Sequence, residues 1–232
     1  MSTSQHVATA SALDDAQASA PGRGRITIVA AALALGAGTV AAMLVWNPWP
    51  ARDQLSYGAV APVRDNTWLG MTLDGLGLAV ASVALSLIVC LLAPRRGAVW
   101  ATVGSILTSI GGLLFAMGAF AFAAFSWYAT QTDAISPSAG TELMKYAEEN
   151  PAHIMGLQMA GFLLFTIGIV SLSIALLRAG TIPAWAPVAL LVLTVAQFTP
   201  IPGRVLDMVQ VALMTVLIAL AWLILRAESA IR

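Results

Sequence analysis

Two carboxylates, Asp74 and Asp207, stand inside long apolar runs of this 232-residue chain. An Asp at mid-helix in a bilayer costs about 2.5–3.5 kcal/mol on insertion scales, so such a residue points by default to an ion, proton or ligand site. Each lies about one turn into its run. Other strongly polar side chains fall at the same level: His153 and Gln158 where the fourth run opens, Gln197 where the fifth closes, and Arg204 and Gln210 around the start of the sixth. Asp74, His153, Gln158, Gln197, Arg204, Asp207 and Gln210 thus form a candidate polar pocket, with Arg204 or His153 as counter-charge for one aspartate. The same positions admit a second explanation. A carboxylate near a helix N-terminus is stabilised by the macrodipole and lies close to headgroups and water, so both aspartates would then be N-terminal charges with no ligand.

Other chemistry finds little support. His153 has no second His on its side of the chain, because the other, His6, belongs to the N-terminal tail. Met155 and Met159 sit four apart and could offer soft sulfur to copper, although Met at helical spacing in an apolar helix ordinarily packs. The single Cys, Cys90, excludes an intrachain disulfide and a Cys-based metal cluster. No phosphate-binding loop, His-Glu-x-x-His or nucleophile elbow occurs. Gly36 and Gly38, like Gly75 and Gly77, fall within apolar spans and read as packing glycines, not as a dinucleotide fingerprint. No cofactor, metal site or catalytic residue is implied, and the reading leans away from an enzyme.

The elements that must position these side chains follow from composition. Hydrophobic residues make up 59% of the chain and charged ones 9%, against about 25% charged in a soluble globular protein. Its mean hydropathy is +0.86. Eleven Lys and Arg balance eleven Asp and Glu, which leaves no basic excess for nucleic acid. A cytosolic enzyme and a disordered chain are likewise excluded. The expected fold is all-α: a polytopic integral membrane protein with six transmembrane helices over about 26–46, 71–93, 99–127, 152–177, 183–199 and 205–225. Residues 1–22, rich in Ser, Ala, Gln and Thr, read as a disordered cytoplasmic tail, and 23–232 as the membrane domain. The first run is about 20 residues, long enough to span ~30 Å of hydrocarbon and longer than a secretory signal core, so it reads as an uncleaved helix. The fifth is the shortest, with Pro187 in its first turn and Pro200 and Pro202 closing it.

Orientation follows from Lys and Arg. With both termini cytoplasmic, the inner segments hold Arg23, Arg25, Arg95, Arg96, Arg178, Arg226 and Arg232, and the outer loops hold Arg52, Arg64, Lys145 and Arg204. Most acidic residues then lie outside, and the polar pocket falls in the outer leaflet. Gly104, Thr108, Gly112 and Ala116 recur every four residues along the third span, giving a smooth face for close helix approach. That span is the expected centre of the bundle. Ser82, Ser86 and Cys90 form a similar stripe on the second, and 141–150 reads as a short interfacial helix.

The stretch from Gly161 to Trp185, in which a helix ends in Leu-Leu-Arg, a Gly and Pro turn follows and a Trp opens the next helix, resembles one common in uncharacterised small bacterial multi-pass membrane proteins. The resemblance covers about a tenth of the chain. It implies the architecture and a bacterial plasma membrane, and transfers no site residues. The leading expectation is therefore a structural or accessory membrane protein, surrounded by the lipid bilayer and acting through a membrane-protein partner or further copies of itself. A small transporter or sensor using the polar pocket is the alternative. A lipid or quinone enzyme is a third, weakened by the lack of a nucleophile–base pair.

Overall fold

Lipid offers no hydrogen-bond partners, so a membrane-spanning backbone must satisfy itself within each segment. In the computed structural model, which describes residues 23–49, 56–93, 96–200 and 203–229, the chain does so with helices alone. In order these are α1 (Arg23–Trp46), α2 (Tyr57–Val60) with a 3-10 turn at Ala61–Val63, α3 (Arg64–Leu92), α4 (Ala98–Ala129), α5 (Pro137–Glu149), α6 (Ala152–Ala179), α7 (Trp185–Ala196) and α8 (Gly203–Ser229). Five of them, α1, α3, α4, α6 and α8, are long and apolar enough to cross a membrane. The N-terminal tail 1–22 and Arg52, Arg95 and Arg232 lie outside the described residues.

The fifth run is shorter as a helix than its hydropathy suggests. It is helical over 12 residues, Trp185–Ala196, or about 18 Å at 1.5 Å per residue. Pro183 precedes it, and the turn from Gln197 gives way to Pro200. At the other extreme, α3 begins at Arg64, seven residues before the apolar run, because a helix continues into water where hydropathy no longer registers it. α5 is longer than expected: Ser136 caps it by accepting from the Ala139 N–H at 3.3 Å, with Pro137 opening the first turn.

The six long or apolar helices close a ring in the order α1, α3, α4, α6, α7, α8 and back to α1, with α3 and α6 also touching across the inside. The centre is therefore α3 and α6, not the third span. The most apolar 18-residue stretch of each is 56% buried, against 39% for α4. The smooth stripe on α4 explains the difference. A step of four residues advances about 40° around a helix, so the stripe winds from one neighbour to the other. Gly104 and Thr108 meet Leu172 and Gly168 of α6, whereas Gly112 and Ala116 meet Ser82 and Gly75 of α3. The α4–α6 contact is closest at Gly111 and Gly161, where a Cβ on either glycine would collide with the other helix's backbone. Hydroxyls hold α3 to α4: Ser105 Oγ donates to the Ser86 carbonyl at 3.0 Å and Ser109 Oγ to Ser86 Oγ at 3.0 Å, while Cys90 Sγ lies 3.2 Å from Ser105 Oγ.

A small second core of Val60, Ala129 and Met144, with Tyr57 and Phe125, fixes α5 across the ends of α2 and α4. On the same end Trp127 Nε1 donates to Asp65 at 2.8 Å, and Arg64 Nη1 donates to the Thr130 carbonyl at 2.9 Å. The opposite end carries Arg96, Arg178 and Arg226, with the Arg178 guanidinium 5.8 Å from the Trp100 ring and Arg226 3.7 Å from that of Trp222.

Candidate functional site

Toward the α5 end, the helices leave a space inside the ring. A cavity of about 410 Å³ lies between the helices, within the 300–1,000 Å³ typical of small-molecule pockets. α3 contributes Met71 and Asp74, α4 contributes Phe115 and Phe122, and α8 contributes Leu206 and Gln210. From α6 come Met155, Gln158, Met159 and Phe162, a set at spacings of three and four that makes one helical face. Gln197, just beyond α7, Leu44 of α1 and Trp49 also line it. A second, smaller cavity of about 40 Å³ lies deeper among Val40, Leu78, Phe165 and Leu213, and it shares Asp74, Gln197 and Gln210 with the first. Those three polar residues therefore stand where the wide chamber narrows.

Four of the seven sequence-derived pocket residues, Asp74, Gln158, Gln197 and Gln210, thus meet at one cavity, brought there by α3, α6, the end of α7 and α8. The other three lie elsewhere. His153 and Arg204 are exposed near the starts of α6 and α8. Asp207 is buried, 4% exposed, and engaged in an interaction of its own, but it does not line the cavity. Asp74 is ten residues into α3, about 15 Å from its start. The macrodipole's influence fades within the first turn, so the N-terminal explanation does not reach Asp74. Asp207, four residues into α8, remains within that range.

Local packing sets the geometry of Gln158. Gly118 of α4 lies directly against its backbone, leaving no room for a Cβ, so α6 is pressed close at this level. The Gln158 side-chain oxygen is buried, and among the described residues it finds no hydrogen-bond partner. Unpaired buried acceptors are uncommon and costly. Asp74 and Gln210 are each engaged within the protein. Sequence reasoning missed the apolar wall. Phe115 and Phe122, seven apart on α4, and Met71 look like any other lipid-compatible residue until the neighbouring helices are in place. Among the described residues, no group of three or more His, Cys, Asp or Glu could hold a metal ion.

No protein-family model, curated protein or solved structure matches this chain.

Proposed function

We propose that the chain is a multi-pass protein of a bacterial plasma membrane, crossing it six times with both termini cytoplasmic, and that it works as a sensor or small transporter by binding an amphipathic molecule in an outward-facing pocket. Under this reading α7 is an incomplete crossing, finished by the non-helical residues that follow it. The observation that carries the proposal is the convergence of Asp74, Gln158, Gln197 and Gln210, from four separate segments, on one cavity whose other described lining residues are apolar. Asp74 and Gln210 are engaged within the protein, but the buried Gln158 side-chain oxygen has no partner among the described residues, and interhelical pairing alone does not account for it. The Lys and Arg bias sets the orientation, with Arg96, Arg178 and Arg226 at the end away from the cavity.

Native mass spectrometry of the full chain, released from its own membranes in mild detergent, tests the proposal. A retained small molecule is expected in the wild type and should be absent from Met155→Trp, which fills the chamber, provided the variant melts normally. A wild type that carries nothing, and that no amphiphile stabilises against heat, would overturn the pocket reading.

A second reading, an accessory subunit acting through a partner, draws on α5. This otherwise polar helix exposes Leu143 and Tyr146 beside the Lys145–Glu149 pair. It requires a second membrane protein to co-purify in stoichiometric amount, and to be lost with Tyr146→Ser.

A further inference from the structure

What Gln158 lacks is a donor. Asp74 and Gln210 already interact within the protein. The Gln158 side chain lines the chamber, yet its oxygen is sealed from water and has no hydrogen-bond partner among the described residues. An acceptor buried in this way is destabilising until an N–H or O–H reaches it. The terminal torsion of a Gln is broad, so a modest turn of the amide presents the oxygen to the chamber. Around it stand Met71, Met155 and Met159 with Phe115, Phe122 and Phe162. Thioether chains adapt to irregular apolar shapes and sit well against aromatic rings, so this part of the wall suits hydrocarbon or an aryl group. The match is a lipophile with one donor.

The same wall reaches the outside of the bundle. In the ring α7 stands between α6 and α8, but it stops short. Phe198, two residues past its helical end, packs against Phe162 with ring centroids 5.9 Å apart. Phe162 is ten residues into α6, so about 15 Å of α6 extends beyond that level. Met159 lies on this stretch, lines the cavity and is 56% exposed. Leu163, one turn further on, is exposed as well, and residues four apart share a helical face. Met159 is thus the edge where the cavity wall meets the flank of α6 that the six-crossing reading turns toward lipid.

Resting on the pocket reading above, we propose that the cavity takes a lipophile bearing a hydrogen-bond donor, drawn from the bilayer itself. Its hydroxyl or amide N–H donates to the Gln158 side-chain oxygen, its hydrocarbon or aryl body rests on the Met and Phe wall, and it passes Met159 on the way in from the membrane. Recognition lies in the donor. The same body with that hydrogen replaced by a methyl group leaves the oxygen unsatisfied and binds less well.

The test uses the full chain in phosphatidylcholine nanodiscs and two probes with one body, 4-phenylbutanol and its methyl ether. Titration calorimetry, with empty nanodiscs subtracted, should find the alcohol about fivefold tighter, as one net hydrogen bond provides. Gln158→Leu should bring the two probes level by weakening the alcohol alone. Gln158→Met serves the same purpose if the first variant fails to fold, as judged by its melting curve. An ether that binds as tightly as the alcohol, or a preference that survives loss of the amide, overturns the donor assignment and leaves the pocket reading standing. If neither probe binds, the donor assignment also falls, while the pocket reading is decided separately by the native mass spectrum. The route is tested with a nitroxide attached through Met159→Cys in a Cys90→Ala background. Oxygen, which concentrates in lipid, should relax the label more than a water-soluble nickel chelate does. Stronger relaxation by the chelate would overturn entry from the membrane.

Discussion

Gln158 separates stability from function more cleanly than any other side chain in the cavity. Its oxygen is buried without a partner among the described residues, and replacing an unsatisfied polar group by an apolar one of similar shape is commonly neutral or stabilising. Gln158→Leu should therefore leave the melting temperature unchanged or raise it, by up to about 2 kcal/mol in stability, while ligand binding falls. A lowered melting temperature would mean that the amide serves the fold. The polar residues of the cavity were legible in the sequence because each interrupts an apolar run, where polarity is expensive. What could not be read was azimuth. The rise of 1.5 Å per residue gives a side chain's depth, but only the neighbouring helices decide whether it faces the cavity. Asp207 and Gln210 show this on one helix. They stand three residues apart, roughly 60° around α8, yet one lines the chamber and the other is buried outside it.

At the scale of elements, the α4–α6 seam is the tightest and most vulnerable contact. Gly104, Gly111 and Gly118 recur every seven residues on α4, and Gly161 and Gly168 do so on α6. A seven-residue repeat keeps one face toward a partner over many turns, which a four-residue repeat cannot do. Gly111→Ala should force the two backbones apart and destabilise the protein by about 1–3 kcal/mol, measured by steric trapping in bicelles. Gly38→Ala and Gly156→Ala, whose added methyls meet nothing within 4 Å, should be neutral and serve as controls. Equal losses in all three would show that helix-wide effects, not the seam, govern stability. The four-residue stripe was visible in the sequence, but the seven-residue series becomes meaningful only once α4 and α6 are known to be antiparallel neighbours. Helix ends were misjudged for a related reason. Hydropathy marks where lipid lies along a helix, so it missed the polar first turns of α3 and carried α7 past its helical residues into the turn before Pro200.

For the whole molecule, the proposed orientation places Lys145 and Arg96 on opposite faces of the membrane. In a Cys90→Ala background, a single cysteine at 145 should react with an impermeant maleimide in intact cells, and one at 96 only after permeabilisation. Reaction of both in intact cells would refute the six-crossing arrangement. The all-helical character and five of the long apolar helices could be foreseen from composition and run length alone. The ring order could not, because it depends on which small-residue faces meet. One consequence of that ring concerns the lipid around it. The flank formed by α7 offers a helical wall of only about 18 Å, where hydrocarbon is ~30 Å thick. If α7 crosses as proposed, such a mismatch costs fractions of a kcal/mol per Å, and annular lipids are expected to thin along this one side. The protein should then settle preferentially in bilayers of shorter acyl chains, with its deformed sector always facing the same way.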